Sequence, residues 1–304
     1  MSDDVRMPAI SLAAVPGRRK STVELAAEIE RRGFSGIFCP SFGDAMSLCL
    51  SIAHATETIE FGTAIQPIYF QHPTDLATTA GYINEIGDGR FRLGLGVTHG
   101  PVHQRMGFEV GKPLSDMRDY VATMRESAEQ VGGLPPITLA TLRDKMVELS
   151  VEIADGAVWA NASRSRMGHS IGLIPDDRIA DGFYIGNMIP TVIDDDREAG
   201  AARNRATLSG YVALPNYRNY WKEAGYEEEM AAVEVALADK DADGVKAAMS
   251  DDWLSDCTLY GSVGEVRDGI EAWLDAGVTS PILVPSSTSG GQLRAFEELF
   301  AAFG

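Results

Sequence analysis

The chain has 304 residues and a formal net charge of −18, from 26 Lys and Arg against 44 Asp and Glu. Phosphate backbones and anionic membranes are gripped by basic stripes, so nucleic acid and charged lipid surfaces are excluded as partners. No apolar run reaches the roughly 18 residues of a membrane span, and the acidic start Met1-Ser2-Asp3-Asp4 lacks a signal peptide's order, so a cytoplasmic protein is expected.

Strand-like and helix-like segments alternate. Residues 7–14 form a short apolar run, and Ser21 with Glu24 then reads as a capping box for a helix that ends at Gly33. Residues 36–39 (GIFC) form a second strand, and a helix spans 44–56. Residues 61–70 are a third strand, in which Gly62 and Pro67 suggest a bulge. A helix over 73–86 opens on proline, and 91–97 (FRLGLGV) is a fourth strand. An amphipathic helix over 115–131, a strand over 137–141, a helix over 144–154 and a strand over 156–160 follow. Residues 183–193 are a seventh strand. Helical sequence begins at 194–208, with Asp194, Asp195 and Asp196 at its N-terminus, and lasts with breaks to about 255. A helix over 263–276, an eighth strand over 282–284 and a helix over 293–303 close the chain.

Eight buried strands alternating with helices predict an α/β fold of the (β/α)8 TIM barrel type, one domain over 1–304, with a helical insertion at 211–255 between strands 7 and 8. An open doubly wound sheet is the alternative. Cys39, Cys49 and Cys257 have neither disulfide-framework nor metal-ligand spacing, and read as reduced, buried thiols.

Spacing alone says little about chemistry. His99 and His103 follow the fourth strand, on the side where such barrels gather side chains around a ligand. They read as proton-handling groups or as loop histidines on backbone carbonyls. As metal ligands they would need a helix between them, which Gly100 and Pro101 are expected to break. His54 reads as a core histidine, His72 as pointing to the barrel mouth, and His169 as part of a polar loop. Gly94 and Gly96 make no dinucleotide fingerprint, and suggest instead that a flat ligand approaches the backbone. Ser41 lies in no nucleophile elbow. Asp44 and Glu109 read as solvated or capping carboxylates. Asn161, Ser163, Arg164 and Arg166 follow the sixth strand and read either as a polar loop or as a phosphate site built from hydroxyl, N–H and guanidinium groups. Tyr217, Tyr220, Trp221 and Trp253 read as a pocket wall or lid, or as helical packing.

Three segments resemble the luciferase-like monooxygenase superfamily: residues 84–97 (NEIGDGRFRLGLGV), 148–159 (ELSVEIADGAVW) and 260–284 (YGSVGEVRDGIEAWLDAGVTSPILV). Residues 62–77 (GTAIQPIYFQHPTDLA) are similar to its third strand and the helix after it. Within the superfamily the chain resembles the short members that use the deazaflavin coenzyme F-420. The resemblance implies a (β/α)8 barrel, with deazaflavin or flavin held at the C-terminal strand ends, hydride transfer to or from a small-molecule substrate, and a homodimer. It implies a bulge with a non-prolyl cis peptide at Gly62, Thr63 and Ala64, backing the ring. Thr98 and His99, with His103 nearby, would line the ring, and His99 stands where some F-420 dehydrogenases carry a proton donor, making it the candidate catalytic residue. Ala140, Thr141 and Leu142 would face the cofactor tail; Asn161, Ala162, Ser163 and Arg164 would face its phosphate. Two positions depart from the pattern. Cys39-Pro40-Ser41-Phe42 stands where many members have Asp-His, leaving Ser41 and Phe42 beside the ring, and Leu142-Arg143-Asp144 stands where many have Gly-Pro.

The implied activity is F-420-dependent hydride transfer. The alternatives are an FMN-dependent monooxygenase, and a barrel that binds flavin or deazaflavin without catalysis.

Overall fold

The structure, a computed structural model, describes residues 7–41 and 44–303. Phe42 lies outside the described residues. The strands are β1 (Ala9–Ser11), β2 (Gly36–Cys39), β3 (Glu60–Pro67), β4 (Phe91–Gly96), β5 (Ile137–Ala140), β6 (Gly156–Ala160), β7 (Tyr184–Ile193), β8 (Leu259–Gly261) and β9 (Ser280–Ser286). Their order is β6-β5-β4-β3-β2-β1-β9-β7-β8, and β6 also pairs with β7. Eight parallel strands, all but β8, thus close into a barrel with helices around them, and the doubly wound alternative is excluded. The helices are α1 (Arg19–Arg31), α2 (Ala45–Ala55), α3 (Pro73–Ile86), α4 (Gly100–Met106), α5 (Pro113–Glu126), α6 (Asp144–Ile153), α7 (Arg164–Ile171) and α8 (Asp176–Ala180). There follow α9 (Arg197–Val212), α10 (Pro215–Glu223), α11 (Glu227–Ala238), α12 (Ala242–Ala247), α13 (Asp251–Cys257), α14 (Val263–Asp275) and α15 (Gln292–Phe303). Among the described residues no helix is long and apolar enough to cross a membrane.

Two compact units make up the chain. The first runs to Trp159 and includes Leu173–Gly186. Its strands are buried on both faces, as parallel strands under helices must be, and every residue of β2 is inside. The register of β3 on β4 shifts between Thr63 and Gln66, which is the expected bulge. No peptide bond among the described residues is cis, so the cis peptide implied at Gly62, Thr63 and Ala64 is not found. Close strand approach explains the glycines here. A Cβ on Gly62 would overlap the Arg92 carbonyl, and one on Gly94 would come within 2.8 Å of the Ala64 carbonyl carbon. The Gly94 space is therefore taken by β3 rather than kept for a ligand. Gly96 likewise makes room for Ile65, whose Cγ2 would be 2.6 Å from an added Cβ.

Two local expectations fail in this unit, those at Ser21 and His54. The capping box at Ser21 does not form, because α1 already starts at Arg19, with Arg18 at its cap. His54 is exposed rather than in the core. His72 caps α3, its Nδ1 accepting from the Thr74 N–H at 3.3 Å, and is exposed. Asp44 caps α2 through the Ser47 N–H at 3.1 Å, in line with its capping reading.

The second unit holds Ala160–Gly172 and the chain from Asn187 on. Its β8 pairs parallel with the last residues of β7, Thr191 opposite Leu259. A true capping box opens α14: the Ser262 N–H donates to Glu265 at 2.8 Å, and the Glu265 N–H donates to the Ser262 hydroxyl at 3.4 Å. Asp196 caps α9, as the run of three aspartates suggested. His169 lies in the last turn of α7, not in a loop. The aromatics at 217–253 form a buried stack. Tyr217 and Trp221 have ring centroids 5.3 Å apart, and Trp221 meets Trp253 edge-on at 4.9 Å. They are core side chains, each worth several methylenes of burial.

Candidate active site

In the first unit the chemistry gathers where β4 ends. Thr98 follows with φ of 56°, a left-handed backbone that a β-branched side chain avoids. Such an outlier marks a place where surrounding contacts over-determine the chain. Those contacts are visible. The Thr98 hydroxyl lies 2.5 Å from His103 Nε2, and the same nitrogen lies 2.7 Å from the Val97 carbonyl. A carbonyl only accepts, so Nε2 carries the proton of His103. Tyr69 packs edge-on against the His103 ring at 5.3 Å and donates its hydroxyl to Asp116 at 2.7 Å. Asp116 also accepts from the Gly111 N–H at 3.0 Å. Burial, then the Asp116 carboxylate, push the Tyr69 hydroxyl well up, so it stays a donor.

His99 sits at the cap position of α4. The helix forms despite Gly100 and Pro101, against expectation. Proline stands in its first turn, where its missing N–H has no intrahelical partner to lose. His99 is half-buried, and burial, with the nearby His103 charge adding to it, lowers its pKa. Its imidazole is therefore neutral over the physiological range. Such a group takes a proton more readily than it gives one. Among the described residues no three His, Cys, Asp or Glu side chains gather as a metal site.

The other first-unit candidates lie within β3 and at the ends of β2 and β5. Ser41 is half-buried just after β2. Gly62, Thr63 and Ala64 are buried on β3, and the Thr63 hydroxyl both donates to the Gly94 carbonyl and accepts the Gly94 N–H, at 2.9 Å each. Ala140 ends β5, followed by Thr141 and Leu142; the buried hydroxyls of Thr138 and Thr141 have no partner. Orphaned buried hydroxyls are costly unless something else meets them.

In the second unit, Asn161, Ala162, Ser163 and Arg164 follow β6 and lead into α7. Asn161 also has a left-handed backbone, φ of 57°. The N–H groups of Asn161, Ala162 and Ser163 already have acceptors within the chain. Asn161 donates to the Met188 carbonyl at 3.0 Å, Ala162 to Asn187 Oδ1 at 3.4 Å, and Ser163 to the Tyr220 hydroxyl at 3.1 Å. The Ser165 N–H donates to Asp256 at 2.9 Å, and the Ser165 hydroxyl donates to the other oxygen of that carboxylate at 2.6 Å. Arg166 donates to the Glu223 carbonyl at 2.7 Å. Trp221 Nε1 donates to the Asn161 carbonyl at 3.3 Å, so the aromatic stack holds the loop from behind. Tyr220→Phe strands the buried Ser163 N–H and is expected to cost about 1–3 kcal/mol in chemical denaturation; an unchanged midpoint contradicts this role.

Tyr69, Asp116, Tyr220 and Asp256 carried no motif. Their roles include hydrogen bonds to partners 47, 57 and 91 positions away and a ring contact, which spacing does not encode.

The chain is similar to 5,10-methylenetetrahydromethanopterin reductase of Archaeoglobus fulgidus, 26% identical over 267 residues, covering 78% of this chain and 80% of that protein. Among solved structures it resembles coenzyme F-420 dependent tetrahydromethanopterin reductase from Methanopyrus kandleri, with a TM-score of 0.76 at 16% identity, covering 97% of each chain. It also resembles an F-420-dependent secondary alcohol dehydrogenase, with a TM-score of 0.69 at 14% identity, covering 97% of this chain and 98% of that one. At these identities the structural likeness speaks for the barrel fold alone. The sequence profile of the luciferase-like monooxygenases matches residues 7–280, nearly the whole chain, and the protein belongs to that family.

Proposed function

We propose that this protein is an oxidoreductase working with a flavin or deazaflavin, coenzyme F-420 first, that moves a hydride to or from a small organic substrate. The carrying observation is the end of β4, where a strained Thr98 presents a half-buried, neutral His99. Sequence similarity to a putative coenzyme F-420-dependent oxidoreductase of Mycobacterium tuberculosis, 24% identical over 89% of this chain, supports the deazaflavin. The family's description supports FMN with oxygen as the second reading.

The first unit has groups suited to such a ring: the β3 bulge between Thr63 and Gln66 and the unpartnered hydroxyls of Thr138 and Thr141. The loop after β6 suits a phosphate poorly, because the amides of Asn161, Ala162, Ser163 and Ser165 are bonded within the chain. When bound, the ring supplies the two-electron chemistry. The chain supplies orientation and proton handling. Ser41, Thr98 and the β3 backbone position the reactants, and His103 holds Thr98 in its strained form. A neutral imidazole nitrogen of His99 takes the substrate proton as the substrate is oxidised, and returns it in the reverse direction.

The sign of the pH dependence follows. Burial disfavours the charged imidazole, so His99 titrates below the ordinary histidine range. Substrate oxidation rises as pH climbs through that lowered value and is flat above it; substrate reduction falls over the same window. A pH profile of kcat/KM in each direction checks this, and an oxidation rate that keeps rising through pH values above about 7 contradicts it.

Anaerobic turnover with F-420 tests the reading itself, beside oxygen uptake with reduced FMN. Turnover without oxygen supports it. Oxygen uptake with FMN alone moves the protein to the monooxygenase reading, and tight binding without turnover to a binding role.

A further inference from the structure

The N-terminus of α7 offers what a phosphate needs: backbone N–H groups, a serine hydroxyl, and Arg164 and Arg166 in its first turn. Yet it already holds an anion, and that anion belongs to the chain. Asp256, near the end of α13, is 8% exposed and reaches into this terminus. One carboxylate oxygen accepts the Ser165 N–H, at 2.9 Å. The other accepts the Ser165 hydroxyl at 2.6 Å and the Tyr226 hydroxyl at 3.0 Å. Burial, followed by the Asp256 charge, pushes the Tyr226 hydroxyl up, so it remains a donor to the carboxylate. Three donors thus converge on two oxygens, the geometry of a bound oxyanion. The amides of Asn161, Ala162 and Ser163, earlier in the loop, are also spoken for.

We propose that Asp256 is a built-in anion standing where a ligand phosphate would otherwise sit. The protein therefore takes its ring-bearing ligand without a phosphate contact at α7, and separates phosphorylated from phosphate-free forms only weakly. A phosphate brought to this terminus would meet the Asp256 carboxylate and find both Ser165 donors used. The ligand half of this proposal rests on the flavin or deazaflavin reading above; the anion half does not.

The test has two arms. The first uses inorganic phosphate alone, with the full chain, and reads the Ser165 amide resonance and thermal unfolding. In the parent the Ser165 amide does not move with phosphate. Asp256→Ala leaves the Ser165 and Tyr226 donors without an acceptor, and unfolds at lower temperature. Phosphate or acetate, but not neutral acetamide, then restores its stability saturably and shifts the Ser165 amide. Movement of Ser165 by phosphate in the parent, or no anion response in Asp256→Ala, overturns the proposal. Should the alanine variant fail to fold, Asp256→Asn keeps an acceptor for the Ser165 N–H, removes the charge, and puts an amide NH2 where the Ser165 and Tyr226 hydroxyls now donate. Phosphate then moves the Ser165 amide in this variant and not in the parent, and a variant as silent as the parent overturns the proposal.

The second arm titrates riboflavin and FMN by fluorescence. The parent binds the two within about threefold, and removal of the Asp256 charge shifts the ratio toward FMN by about tenfold, the scale of one charge-assisted hydrogen bond. An FMN preference above about tenfold in the parent overturns the proposal. Binding of neither flavin, nor of F-420, defeats the ligand reading, and the phosphate arm still decides the role of Asp256.

Discussion

His99→Ala is expected to lower kcat by about 100- to 10,000-fold, the usual worth of a positioned general base, while the dissociation constant of the ring changes little. The separation of the two numbers carries the argument. His99 stands at the cap of α4, outside the strand core, so its removal leaves the β3–β4 packing intact. Its lowered pKa adds a second signature. The parent's pH inflection, set by burial and by His103, disappears from the residual activity of the variant. Equal turnover in parent and variant removes His99 from the mechanism and leaves the proton to another group or to water.

The largest structural effect is expected from Gly94→Ala, one added methyl group. Its Cβ would overlap the carbonyl oxygens of Thr63 and Ala64 and lie 2.8 Å from the Ala64 carbonyl carbon. Those atoms are backbone at the bulge, held on the other side by the paired Thr63 bonds to Gly94. Neither strand can yield without breaking parallel pairing, so a loss of about 3 kcal/mol or more is expected, at the top of the range for overpacked cores. Chemical denaturation of the purified variant measures it. A loss of under about 1 kcal/mol would show that the bulge is free to shift, and that the glycine serves something other than close strand approach.

The barrel was legible because its evidence is local and repeated. Apolar runs such as 36–39 and 156–160 recur between amphipathic helices, and both became strands over those residues. The β3 bulge was legible from Gly62 and Pro67. The failures are equally physical. The Gly-Pro pair at 100–101 has the composition of a helix breaker, yet proline suits the first helical turn, and α4 starts there. The three residues of β8 are too few to show a period. Ser21 and Glu24 have the spacing of a capping box, but α1 starts before them; Ser262 and Glu265 have the same spacing and form one. Spacing permits a cap, and the point where the chain leaves the preceding loop decides it.

The candidate site was legible in part. Its position after β4 follows from strand order, and His99 and His103 fall there. What strand order does not carry is the backbone angle of Thr98, the Tyr69 and Asp116 support of His103, or the presence of Asp256 at α7. Asp256 lies 91 positions from the serine it holds, and no motif links them. The aromatics, open to reading as a lid or as helical packing, are a buried stack whose polar edges reach Ser163 and Asn161. That role needs their packing, not their composition.

The most direct test of the central claim is a fluorescence titration of the cofactor-free protein with coenzyme F-420 and, separately, with FMN. Saturable binding of the deazaflavin, tighter than that of FMN, is the predicted result. Binding of neither at concentrations up to tens of micromolar, about −6 kcal/mol of binding free energy, would contradict the account and remove the catalytic role of His99 with it.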